Sequence, residues 1–84
     1  MDIYVSQLST AVNDEELRKL FGVFGRVASV TIVRDRFTHQ PTGFAIVDMP
    51  DADKAEMAVV SLNHKVLKGQ AVVVSKKRPH SEHH

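Results

Sequence analysis

Apolar positions recur along the chain with two periods, and each change of period marks an element. Ile3, Tyr4, Val5 and Ser6 follow period two with β-branched and aromatic residues, which predicts a strand. From residue 13 to 24 the spacing lengthens: Leu17, Leu20, Phe21 and Phe24 fall at i, i+3, i+4 and i+7, one face of a helix. Asn13 suits its N-cap, Asp14 and Glu15 suit its positive end, and Glu16 stands where a capping box has its acid. Gly25 is the expected stop. Residues 27–33, rich in Val, Ile and Thr, predict a second strand. A polar connection, 34–42, leads to a third strand over 44–49, which Pro50 and Asp51 break. Asp51 or Asp53 caps a second helix that carries Ala55, Ala58, Val59 and Leu62 on one face and ends at Asn63 and His64. Val66 and Leu67 form a short extended piece before the turn at Lys68 and Gly69. The fourth strand is expected over 71–74, and residues 76–84 read as a loose tail.

The order is βαββαβ, the ferredoxin-like arrangement of an α+β sandwich. Right-handed crossovers place two helices on one face of a four-stranded antiparallel sheet, with the first and third strands at its centre. One domain is expected over 1–75, followed by the tail. Nothing in the chain covers the other sheet face. Alternation puts Ile3, Val5, Leu8, Ala45, Val47 and Met49 under the helices. It puts Tyr4, Ser6, Thr31, Val33, Phe44, Ile46, Asp48, Ala71 and Val73 on the open face. Asp48 is the only charge expected there.

Composition narrows the function classes. With 84 residues and no Cys, the chain has neither a disulfide framework nor a cysteine zinc site. No apolar run approaches the ~20 residues of a membrane helix, and the strand-like start does not read as a signal peptide, so a cytosolic protein away from membranes is expected. Lys+Arg number 11 against 10 Asp+Glu, but unevenly placed. Residues 1–75 carry eight against nine and the last nine residues three against one. A near-neutral body argues against strong polyanion binding. His39 and His64 occupy turn positions, where His tolerates positive φ, and read as turn residues and not as metal ligands. No catalytic triad, carboxylate pair or Gly-rich phosphate loop stands out, so no catalytic residue, metal or cofactor is assigned.

Two segments carry a family resemblance. Thr42, Gly43, Phe44, Ala45, Ile46, Val47, Asp48 and Met49 resemble the octapeptide of the RNA recognition motif. Ile3, Tyr4, Val5, Ser6, Gln7 and Leu8 resemble its companion hexapeptide. Their separation, the helix with Leu17, Phe21, Phe24 and Gly25, Asp35 after the second strand and Gly69 before the fourth match as well. The likeness covers residues 2–79 and is nearest to small bacterial proteins made of one such domain and a short tail.

The resemblance implies non-catalytic binding of single-stranded RNA on the open sheet. Tyr4 would stack one base, and Phe44 would pack a sugar or a neighbouring base. Ser75, Lys76, Lys77 and Arg78 would supply the C-terminal edge, and Arg34 and Arg36 the loop side. Two positions depart from the pattern. Thr42 replaces a basic phosphate contact. Ile46 replaces the second aromatic and offers apolar contact without a π-face. Weak binding is therefore expected, with a log–log salt slope of roughly −1.4 to −2.8 for two to four phosphate contacts. The same apolar face suits a protein partner or a weak homodimer. Phe37, in the long connection, either anchors the loop or reaches a ligand; the sequence leaves both open.

Overall fold

Asn13 opens the first helix with both halves of a capping box. Its Oδ1 accepts from the Glu16 N–H at 2.8 Å, and the Glu16 carboxylate accepts from the Asn13 N–H at 3.1 Å. The second helix is capped by Asp51, whose Oδ1 accepts from the N–H groups of Asp53 and Lys54 at 3.0 and 3.2 Å. In the computed structural model, which describes residues 1–77, these caps start α1 (Asp14–Gly22) and α2 (Ala52–Leu62). The strands are β1 (Asp2–Ser6), β2 (Ser29–Arg34), β3 (Pro41–Asp48), β4 (Val66–Leu67), β5 (Gln70–Ala71) and β6 (Val73–Ser75).

β2, β3, β1 and β6 form one antiparallel sheet in that order, so β3 and β1 are central. β4 and β5 pair separately as a short hairpin. α1 lies on β2 and α2 on β6. The apolar faces meet in a core of Ile3, Val5, Leu8, Leu17, Phe21, Val47, Met49, Ala55, Ala58, Leu62, Val72 and Val74, with smaller neighbours between them. The α+β sandwich with two helices on a four-stranded antiparallel sheet is thus present.

Several boundaries differ from the expectation, among them the start of β2, which is Ser29 and not residue 27. α1 stops at Gly22, with Val23 as C-cap. Gly25 serves packing instead, since a Cβ there would meet the Lys54 side chain of α2 at 2.8 Å. β3 begins at Pro41, three residues early, and a bulge between Val33 and Arg34 absorbs the mismatch with β2. The expected fourth strand is divided. Gln70 and Ala71 pair with β4, and Val72 keeps that company by bonding Lys65 and His64. Pairing with β1 starts only at Val73. Asn63 ties the two parts together, its Oδ1 accepting from the Val74 N–H at 2.9 Å. The continuous apolar run from 71 to 74 conceals this change of partner. His39 and His64 have φ of +64° and +71°, the left-handed turns that their positions predicted.

Candidate nucleic-acid interface

Side chains of the open face stand in three rows. The middle row runs from Thr31 through Ile46 and Tyr4 to Ser75, each directly opposite the next. Towards one end, Val33 faces Phe44 and Ser6 faces Val73. Towards the other, Ser29 faces Asp48 and Asp48 faces Asp2. Every predicted outward residue of β1 and β3 is outward, with Ile3, Val5, Ala45 and Val47 buried between them. Phe44 is 42% exposed although it belongs to a central strand. Tyr4 and Phe44 occupy adjacent strands but are diagonal neighbours, a distance of roughly 7–8 Å between backbones. The residue directly across from Tyr4 is Ile46.

The apolar centre of this face comprises Tyr4, Ile46, Phe44, Val33 and Val73. Its charge lies at one end and is a pair of carboxylates, not Asp48 alone as expected. β1 starts one residue earlier than its apolar pattern, which brings Asp2 opposite Asp48. The amino group of Met1 offsets this, lying 3.3 Å from Asp48 Oδ1 and donating to the Met49 carbonyl at 3.0 Å. At the other end the chain turns sharply. Gly43 has φ of +92°, and its carbonyl accepts from the Leu8 N–H at 3.0 Å. A groove of about 410 Å³ opens there beside Phe44, lined among others by Ser9, Thr10 and Gln70. Sequence reasoning did not reach this groove, because the start of β3 supplies only one wall and the others come from the β1–α1 loop and the hairpin, which alternation does not place.

The basic candidates separate. Ser75 stands on the open face in the Tyr4 row. Lys76, one residue on, takes the opposite side, and its ammonium pairs with Glu56 on α2. It is therefore turned towards the helices and away from the open face. Lys77 is exposed, its N–H donating to the Ser75 hydroxyl at 3.0 Å. Arg78 lies outside the described residues. Arg34 is exposed at the end of β2, yet its Nη1 donates to the His39 carbonyl at 3.1 Å, so it braces the loop. Arg36 lies over the Phe37 ring, 5.8 Å from its centroid. Thr42, in place of a basic residue, donates its hydroxyl to the Val33 carbonyl at 2.9 Å, which stitches β2 to β3 at the bulge.

Asp35 organises the loop between β2 and β3. Its carboxylate accepts from the N–H groups of Phe37 and Thr38 at 2.8 and 3.0 Å. These bonds, Thr38 first, hold its pKa below the ordinary carboxylate value. Glu16 is shifted the same way, chiefly by the bond from the Asn13 backbone and then by Lys68, 3.4 Å away. Both shifts follow chiefly from turn and cap hydrogen bonds, with Lys68 adding to that of Glu16.

The RNA recognition motif model matches residues 3–73. The chain belongs to this family. The octapeptide lies on β3 and the hexapeptide runs along β1 and past its end, so the two signatures of the motif sit on the central strand pair. A curated relative, the U11/U12 small nuclear ribonucleoprotein 31 kDa protein of Arabidopsis thaliana, is 37% identical over 73 residues, 87% of this chain and 28% of its own. Among solved structures, the crystal structure of RNA binding protein PG1 matches with a TM-score of 0.86 and 33% identity, covering 95% of this chain and 99% of that one. A Sex-lethal protein/RNA complex matches with a TM-score of 0.86 and 30% identity, covering 96% and 48%. The chain spans about a quarter of the length of the curated relatives it matches. Those relatives are eukaryotic, from plant, fly and worm, and do not carry the likeness to bacterial proteins. Among the described residues no helix is long and apolar enough to cross a membrane.

Proposed function

We propose that this RNA recognition motif binds single-stranded RNA, without catalysis, on the face opposite its helices. The observation that carries the reading is the solvent-facing apolar strip of Tyr4, Ile46 and Phe44 on the two central strands. Leaving such rings in water forgoes burial of ~1.5–3 kcal/mol apiece, a cost that a flat unpaired base recovers by stacking. The similar Sex-lethal structure is a complex of that protein with RNA, which supports the same ligand class here.

Tyr4 takes one base on its ring. Ile46, directly across, widens the apolar floor without stacking, and Phe44 takes a sugar or the adjoining base. The Asp2 and Asp48 end is acidic, so the backbone of the strand is held mainly by the loop cations Arg34 and Arg36 at the opposite end, with Lys77 contributing past the end of β6 on the Asp2 side. With so few free cations the binding is weak and its salt slope shallow.

The test is fluorescence anisotropy with a labelled single-stranded RNA decamer. Tyr4→Ala lowers affinity by ~1–3 kcal/mol and leaves the circular dichroism spectrum and melting temperature near those of the parent. Loss of the fold would mean that the ring is core and the site misassigned. The apolar strip also fits a second copy or a protein partner. A dimer in sedimentation that buries Tyr4 and Phe44, with no RNA shift at low salt, favours that reading.

A further inference from the structure

Phe37 is the most exposed of the large apolar side chains, at 83%, and it is not on the sheet. It rides on the loop that joins β2 to β3, and that loop is held from several sides. Besides the two bonds to Asp35 Oδ1, the Asp35 N–H donates to the Gln40 carbonyl and the His39 N–H to the Asp35 carbonyl, both at 2.9 Å. The Arg34 guanidinium closes on the His39 carbonyl, and His39 makes the left-handed turn. The network uses backbone groups on both sides of Phe37 and leaves its ring in water. Burial therefore does not explain the residue, and the loop is ordered without it.

Two features of the surroundings select the occupant. Arg36 covers one face of the ring at 5.8 Å, which leaves the other face open and a cation beside it. The loop also leaves the sheet next to Val33, which faces Phe44 in the open-face row. We infer that Phe37 and Arg36 form a stacking station beyond the sheet edge, taking one unpaired base of an RNA strand on the free ring face and its phosphate on the guanidinium. The inference rests on the proposal that this chain binds single-stranded RNA, and it adds a π-face to a sheet that lacks one at Ile46.

The chain contains no Trp, so Phe37→Trp introduces a single indole reporter at the station. A mixed-sequence single-stranded RNA decamer is expected to quench its emission saturably. Phe37→Ala and Phe37→Leu should each weaken decamer binding about five- to a hundredfold, Leu included because it has no π-face. Tyr4→Ala measured alongside separates the two claims. If binding depends on Tyr4 while the Phe37 variants bind like the parent and the indole is unquenched, the station is overturned and the sheet reading stands. If the indole is quenched but Tyr4→Ala binds normally, the station stands and the sheet reading falls. Absence of decamer binding, with Phe37→Ala converting a dimer into a monomer, overturns the inference and assigns the ring to a protein contact.

Discussion

Ile46 stands directly across from Tyr4 in the ladder between β3 and β1, while Phe44 is diagonal to Tyr4 and directly across from Val33. The centre of the open face thus holds one ring and one branched aliphatic side chain where the motif's pattern has two aromatics. Ile46→Phe restores the missing π-face at a site that already faces solvent. It should raise affinity for single-stranded RNA by ~1–3 kcal/mol, roughly five- to a hundredfold. Parallel anisotropy titrations of the two proteins measure this, and unchanged affinity would mean that no base reaches position 46.

Lys76 and Lys77 follow β6 directly, but only the Lys76 ammonium is engaged, by Glu56 on α2, while Lys77 is exposed. Lys77→Ala should flatten the log–log salt slope of RNA binding by about 0.7, the increment for one phosphate on a single strand. Lys76→Ala should change the slope less, because its ammonium already pairs with Glu56. That pair is half-exposed, and its loss should move stability only slightly. Equal slope changes for the two variants would show that Lys76 leaves Glu56 when RNA arrives.

Gly43 combines a φ of +92° with a close approach, since a Cβ there would lie 3.4 Å from the Leu8 carbonyl oxygen. Gly43→Ala should therefore destabilise the domain by ~1–2 kcal/mol through backbone strain. For a domain of this size that lowers the melting temperature by roughly 5–15 °C. Thermal denaturation checks it, and an unchanged melting temperature would mean that the turn relaxes to another conformation.

The pH dependence of the Phe37 loop follows from Asp35. Its pKa is lowered in the folded chain by the Thr38 and Phe37 N–H bonds. A depressed carboxylate contributes stability above its unfolded pKa and loses that contribution as pH falls through the folded value. The loop should hold at neutral pH and loosen only in acid, below the usual Asp range near ~3.9. Amide resonances of Phe37 and Thr38, followed from pH 7 down to 2, should move with one low midpoint. Movement with a midpoint well above that range would contradict the assignment to Asp35.

Much of this could be read from residue spacing. Period-two alternation in residues 3–6 and 44–49 fixed which of Tyr4, Val5, Phe44, Ala45 and Ile46 face the helices, since one buried face permits only one register. Cap chemistry placed α1 and α2. Four features escaped, each for a local reason. The run 71–74 is apolar throughout, so it gives no sign that Val72 and Val73 serve different partners. Asp2 precedes the first apolar residue of β1, and a polar strand end looks like a loop. Lys76 reads as part of the tail, although alternation carried on from the buried Val72 and Val74 points it to the helix side. The bonds around Asp35 depend on loop dihedral angles, which no periodicity encodes.

The most direct test of the central claim is an amide chemical-shift titration of the isotope-labelled chain with a short single-stranded RNA of mixed sequence. Saturable shifts should centre on Tyr4, Phe44 and Ile46 and extend to Val73, Ser75 and Lys77. Shifts confined to the helix side, around Leu20, Val23, Met57 and Val60, would contradict it.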